Sequence, residues 1–169
     1  KAILNNDLDE AKQLLKSLKP PIDCIQQEIT ISMLKAVYYI KKKKITKALE
    51  IEEEYLSVFL PITSINEYSS EFQVYYYYYL MQINFIKAEY EKCFDAGRKI
   101  LEFLKKENSE IVHVYINLSN ICMQLLLNEE SLEYIKKAID LLEIHSNNKL
   151  QFVAYIQLSA IYINTENYD

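Results

Sequence analysis

One glycine and three prolines in 169 residues leave this chain very little material for tight turns. Glycine supplies positive φ and proline pre-sets a turn, so a β-rich chain spends them roughly every 8–12 residues. This chain cannot do that. Long helices joined by short polar corners remain, and the expected fold class is all-α. Half the residues are apolar and a quarter are charged, the balance of an ordinary soluble domain large enough for a sizeable core.

The helical periodicity divides the chain as follows. Residues 1–6 read as the last turn of a first helix whose start lies outside the sequence. Asp7 with Glu10 forms a capping box for the second, in which Leu8, Ala11, Leu14, Leu15 and Leu18 make an apolar stripe. Pro20 and Pro21 end it, because proline lacks an amide donor and restricts the residue before it. Further helices are expected at 26–42, 46–59, 71–87, 90–105, 109–127, 129–145 and 150–164, about nine in all. Five consecutive tyrosines at 75–79 point round every side of a helix, so that helix is covered on more than one face. Gly97 inside the next costs about 1 kcal/mol against alanine and marks a close helix contact. The expected organisation is an N-terminal bundle-like part at 1–60, a linker at 61–70 and repeats at 71–169, the last incomplete.

The corners repeat. A small residue near the start of each second helix falls at Ala11, Ala48, Cys93 and Ser131, at intervals of 37, 45 and 38. A leucine of the first helix recurs at Leu80, Leu118 and Leu158, at intervals of 38 and 40. A small side chain at a crossing lets two antiparallel helices approach closely. This pattern resembles the tetratricopeptide repeat (TPR), whose period is about 34 residues, in a lengthened form without the usual turn glycine. It implies antiparallel hairpins stacked as a TPR-like right-handed solenoid. The stretch 158–169 repeats the corner but leads into no further helix, so the side of the last helix carrying Phe152, Tyr155, Leu158 and Tyr162 expects a cover, from further repeats or from a second copy as a homodimer.

A narrower resemblance runs along nearly the whole chain, through 74–79, the corner 87–90, the helix pair from Ile111 and the ending 138–141 with 167–169. It is to the Rap family, the bacterial response-regulator aspartate phosphatases and related peptide-pheromone receptors. That likeness implies a small bundle that grips a response regulator and a superhelix whose concave side binds a short signalling peptide, as in quorum sensing. The phosphatase members use a glutamine followed by an acidic residue and an apolar run, and Gln27, Glu28 and Ile29 match that order; Gln26 stands where the family tends to be acidic. Gln27 would then orient a water in line with an aspartyl phosphate. The plain alternative is a solvated first-turn glutamine.

In a repeat stack the first helix of each hairpin lines the groove. Counting from the leucine anchors, Tyr78, Gln82, His113, Ile116, Asn120, Gln124, Gln157 and Asn164 face it. Amides donate and accept at once, so Asn and Gln suit both groups of an extended peptide backbone. Other chemistries find little material. His113 and His145 lie 32 residues apart with no acid or cysteine at ligand spacing, so no metal and no cofactor is expected. Cys122 and His113 would sit roughly 13 Å apart along one helix, too far for a dyad. Lysines 41–44 could bind an acidic partner; the plainer reading is a solvated corner answered by Glu50, Glu52, Glu53 and Glu54.

The net charge of −5 disfavours direct contact with nucleic acid. Cys24, Cys93 and Cys122 are odd in number and scattered among apolar neighbours, as reduced buried thiols of a cytoplasmic protein are. The most apolar stretch, 75–86, is too short and polar to cross a bilayer, and no membrane partner is expected. The leading functional reading is a regulator that binds a short peptide or protein partner and controls a response regulator or transcription. Catalysis by Gln27, the sensor region of a peptide-responsive transcription factor, and a generic interaction scaffold are its alternatives.

Overall fold

A computed structural model describes residues 8–17, 25–57, 65–104, 110–145 and 147–166. Among them there are eight α-helices and no strand. They are α1 (Leu8–Ser17), α2 (Ile25–Lys41), α3 (Ile45–Ile51), α4 (Ser70–Ile86), α5 (Tyr90–Phe103), α6 (Glu110–Gln124), α7 (Asn128–His145) and α8 (Asn148–Glu166). A π-turn, Glu52–Leu56, prolongs α3, and a 3₁₀ turn, Ile65–Glu67, precedes α4. The chain is all-α. The eight helices correspond to the second through ninth of the expected set; the first, with its residues 1–6, lies outside the described residues, as do Asp7, the proline pair and Cys24.

Two compact units divide the chain, Lys1–Glu89 and Tyr90–Asp169. α4 packs against α2 and belongs with the N-terminal helices, not with the helices after it. Sequence distance misleads here because α4 is apolar on several sides and α2 offers it a long apolar face. The first unit buries Ile29, Met33, Ala36 and Val37 of α2 together with Phe72, Val74, Tyr78 and Tyr79 of α4. Tyr75, Tyr76 and Tyr77 are half-buried, so the tyrosine run is covered on more than one side. Burial raises the Tyr79 phenol, reinforced by the Glu52 carboxylate and by Tyr76. In the second unit α6 packs on α5 and α7, and α7 packs on α8. Its core gathers Val112, Ile116, Ile135, Ala138, Leu142, Ala154 and Ile161.

Three corners share one backbone motif. Lys43, Ala88 and Leu126 adopt positive φ of 57°, 57° and 59°. The residue after each donates its amide to the carbonyl five back: Lys44 to Tyr39, Glu89 to Asn84 and Leu127 to Cys122, all at 2.9 Å. This is the Schellman arrangement that satisfies the last carbonyls of a helix, here built without glycine. Five residues beyond each left-handed residue stands the predicted small residue: Ala48, Cys93 and Ser131. All three are fully buried, and Ala11 nearly so. At the α6–α7 corner the reason is visible. The Ser131 hydroxyl donates to the Ser119 carbonyl at 2.9 Å, and the two hydroxyl oxygens are 3.0 Å apart. Any larger side chain at either position would push the helices apart.

Two other helix ends are capped by side chains. Ser69 Oγ accepts the Phe72 amide at 3.3 Å before α4, and Asn147 Oδ1 accepts the Leu150 amide at 3.2 Å before α8. Gly97 is buried within α5. Cys93 and Cys122 are buried free thiols, and burial with the nearby Glu130 pushes the Cys122 thiol up to about 12. No described helix is long and apolar enough to cross a membrane.

Candidate functional site

The expected groove residues separate by unit. In the second unit α6 buries Ile111, Val112, Val114, Ile116, Leu118, Ser119, Ile121 and Cys122. The stripe that remains runs through His113, Asn117, Asn120 and Gln124, at spacings of 4, 3 and 4, which is one face of a helix. The first three are half-buried and Gln124 is exposed. The side-chain amides of Asn117, Asn120 and Gln124 make no hydrogen bond within the described residues. Their donors and acceptors are therefore available to a ligand.

Ile116, counted into the groove from the sequence, instead joins the core at 9% exposure. Asn117 takes its place. The error is one position, or about 100° of helix, and it arises because α6 is apolar on both sides of the amide stripe. The alternating polar residues 113, 117, 120 and 124 were the signal that could have found Asn117.

Forty residues on, α8 presents Val153, Gln157, Ala160 and Asn164 at the same spacing. Val153 and Asn164 are exposed, and Gln157 and Ala160 half-buried. The Gln157 amide donates to the Ile116 carbonyl at 3.2 Å, which ties the two helices together beside Asn117. Gln157 thus spends one donor on the scaffold. The α6 stripe spans roughly 16 Å, the length of about five residues of extended peptide. The surface offers amides for a backbone and, at Val153 and Ala160, apolar contact for side chains.

The other predicted site residues lie in the first unit. Tyr78, counted as a groove residue, is only 4% exposed, and the Lys41 ammonium sits 5.9 Å from its ring centroid. It is a core residue of that unit, because the α4 face it occupies is the one that meets α2. Gln82 is half-buried on α4. Gln27 is exposed on the first turn of α2. It has the access a water-orienting glutamine needs, and no described carboxylate or hydroxyl is fixed to it by a hydrogen bond.

The lysine corner also differs from expectation. Glu52 pairs with Lys87 at 2.8 Å, 35 residues away. Among the described residues, Lys42, Lys43 and Lys44 form no ion pair with the glutamates of α3 and its π-turn. The carboxylates that were to answer the corner are spent elsewhere or point to solvent. Burial lowers the Lys41 ammonium to about 8. Among the described residues no group of three His, Cys, Asp or Glu could hold a metal ion.

No protein-family model matches the chain, and neither a curated protein nor a solved structure is significantly similar to it.

Proposed function

We propose that this chain is a TPR-type binding regulator, its hairpins stacked as a right-handed solenoid, which takes an extended peptide along α6 and α8. The observation that carries the reading is the stripe His113–Asn117–Asn120–Gln124, with three amides uncommitted to the protein. A peptide strand leaves one amide and one carbonyl per residue to satisfy, and side-chain amides can pair with both. The repeated corner at Lys43, Ala88 and Leu126 supports the solenoid. Buried, unbridged Cys93 and Cys122 support a cytoplasmic setting. The peptide would be a signal, and the output would pass to a response regulator or to transcription.

The test is to select heptapeptides from a random display library and titrate the synthetic winners by calorimetry. Asn117→Ala with Asn120→Ala is expected to weaken binding about tenfold or more, the loss of one to two net hydrogen bonds in a partly dry groove, with unchanged helical circular dichroism. Winners that bind the double variant equally well would remove the groove from the α6 face.

A second reading is the aspartyl-phosphate phosphatase, for which Gln27 has the needed access, although a solvated first-turn glutamine is exposed as well. It predicts that a phosphorylated response regulator loses its phosphate faster with the chain present, and that Gln27→Ala abolishes the difference. The exposed apolar face of α8 favours a second copy of the chain as a further partner. Of the residues expected there, Phe152, Tyr155 and Tyr162 are exposed but Leu158 packs against the core of its own unit, and the face is re-centred on Phe152, Ile156 and Ile163, 68%, 55% and 61% exposed. With Ser159 they form a 4-3-4 stripe that an antiparallel copy of α8 would meet in register, and Ser159 would permit the close approach that Ser131 permits on Ser119.

A further inference from the structure

The first unit contains a pocket of about 510 Å³ lined by Lys12 of α1, Lys35, Tyr38 and Tyr39 of α2, and Lys42 and Lys44 of the following corner. That volume is in the range of small-molecule sites. Asp9 supplies the single carboxylate of the lining and Leu15 an apolar wall. Four lysines and a single acid thus share one lining, in a chain whose net charge is −5. None of the four lysines is engaged in an ion pair among the described residues. Like charges so gathered repel one another unless something anionic offsets them. Among the described residues Glu52 is held by Lys87, and no ion pair joins Glu50, Glu53 or Glu54 to the pocket lysines.

The aromatic wall is the second observation. Tyr38 and Tyr39 are half-buried with ring centroids 5.6 Å apart, edge to face, and Lys47 lies 5.9 Å from the Tyr39 centroid. An edge contact of this kind favours one mutual arrangement of the two rings. The Lys44 amide, bonded to the Tyr39 carbonyl at 2.9 Å, holds the corner and its two lysines in place against that wall. Lysine is a compact point charge suited to phosphate oxygens, and a tyrosine face suits a planar ring.

We propose that this pocket binds a small organic polyphosphate carrying a planar ring, the chemistry of a nucleoside di- or triphosphate. Lys12, Lys35, Lys42 and Lys44 neutralise the phosphates, and Tyr38 and Tyr39 take the ring. The site lies wholly within the first unit and is separate from the amide stripe of α6.

Calorimetry with ATP, inorganic tripolyphosphate, adenosine and a hexaglutamate peptide tests the proposal, using the whole chain at low salt. ATP is expected to bind, tripolyphosphate about tenfold more weakly, and adenosine and hexaglutamate without measurable heat. Lys35→Glu with Lys42→Glu, both at exposed positions that leave the helices intact, is expected to abolish ATP binding. Tyr38→Leu is expected to reduce ATP affinity to that of tripolyphosphate. The proposal is overturned if ATP gives no heat, if the lysine double variant binds ATP unchanged, or if tripolyphosphate or hexaglutamate binds as tightly as ATP.

Discussion

Leu126→Gly is the substitution that most directly tests the repeated corner. Leu126 holds φ at 59° and is 73% exposed. A left-handed conformation costs an L-residue about 1–2 kcal/mol, because its Cβ crowds the neighbouring carbonyl. Glycine removes that cost, and exposure means little buried area is lost with the leucine side chain. Against this, glycine adds unfolded-state freedom worth about 0.4–1 kcal/mol. The net expectation is stabilisation by about 0.5–1 kcal/mol. For a chain of this size that raises Tm by roughly 2–4 °C per kcal/mol. The assay is urea denaturation followed by far-ultraviolet circular dichroism, with a higher midpoint and an unchanged slope. Leu126→Ala is the control: it keeps the Cβ and so the strain, and its midpoint should stay with the parent. A glycine variant no more stable than the alanine variant would refute the left-handed corner, and with it the shared register of Lys43, Ala88 and Leu126.

Other expectations follow from the same packing. Ser131→Leu inserts bulk where the Ser131 and Ser119 oxygens are 3.0 Å apart and should destabilise by about 1–3 kcal/mol or more, read as a lowered urea midpoint; Ser131→Ala should cost about 1 kcal/mol. Lys41 has its pKa lowered by burial from 10.5 to about 8. Between those values the unfolded chain binds more protons than the folded one, so this residue's contribution makes stability rise as pH climbs from about 8 toward 10.5, and below 8 its buried charge is a standing cost. Lys41→Met should therefore be more stable than the parent at pH 7, by on the order of 1–2 kcal/mol after allowance for partial solvation, and the gap in urea midpoints should narrow at pH 10. Cys93 and Cys122 are buried, and the Cys122 thiol is pushed up to about 12. Both should resist iodoacetamide in the native protein and acquire label only in denaturant, as peptide mass spectrometry would show. Ile156→Lys should lower any self-association seen by sedimentation, since Ile156 is 55% exposed at the centre of the α8 stripe.

The sequence by itself determined the all-α class and the register of the corners. Scarcity of glycine and proline excludes frequent turns, and a close helix crossing admits only a small side chain, so Ala11, Ala48, Cys93 and Ser131 were legible as buried positions. Both signals are local: they depend on residues within a turn or two of one another. What only the tertiary structure decided is non-local. The period of a helix gives a residue's angle but not which of two apolar flanks is covered, so Ile116 and Asn117 exchanged roles, and Tyr78 went to the core. α4 packs against α2, distant in sequence, and the two compact units divide after Glu89. Glu52 found Lys87, 35 residues away, rather than the lysines beside it. The packing of α1 beside α2 then placed Lys42 and Lys44 in one lining with Lys12 and Lys35, a grouping that spacing along the chain does not encode.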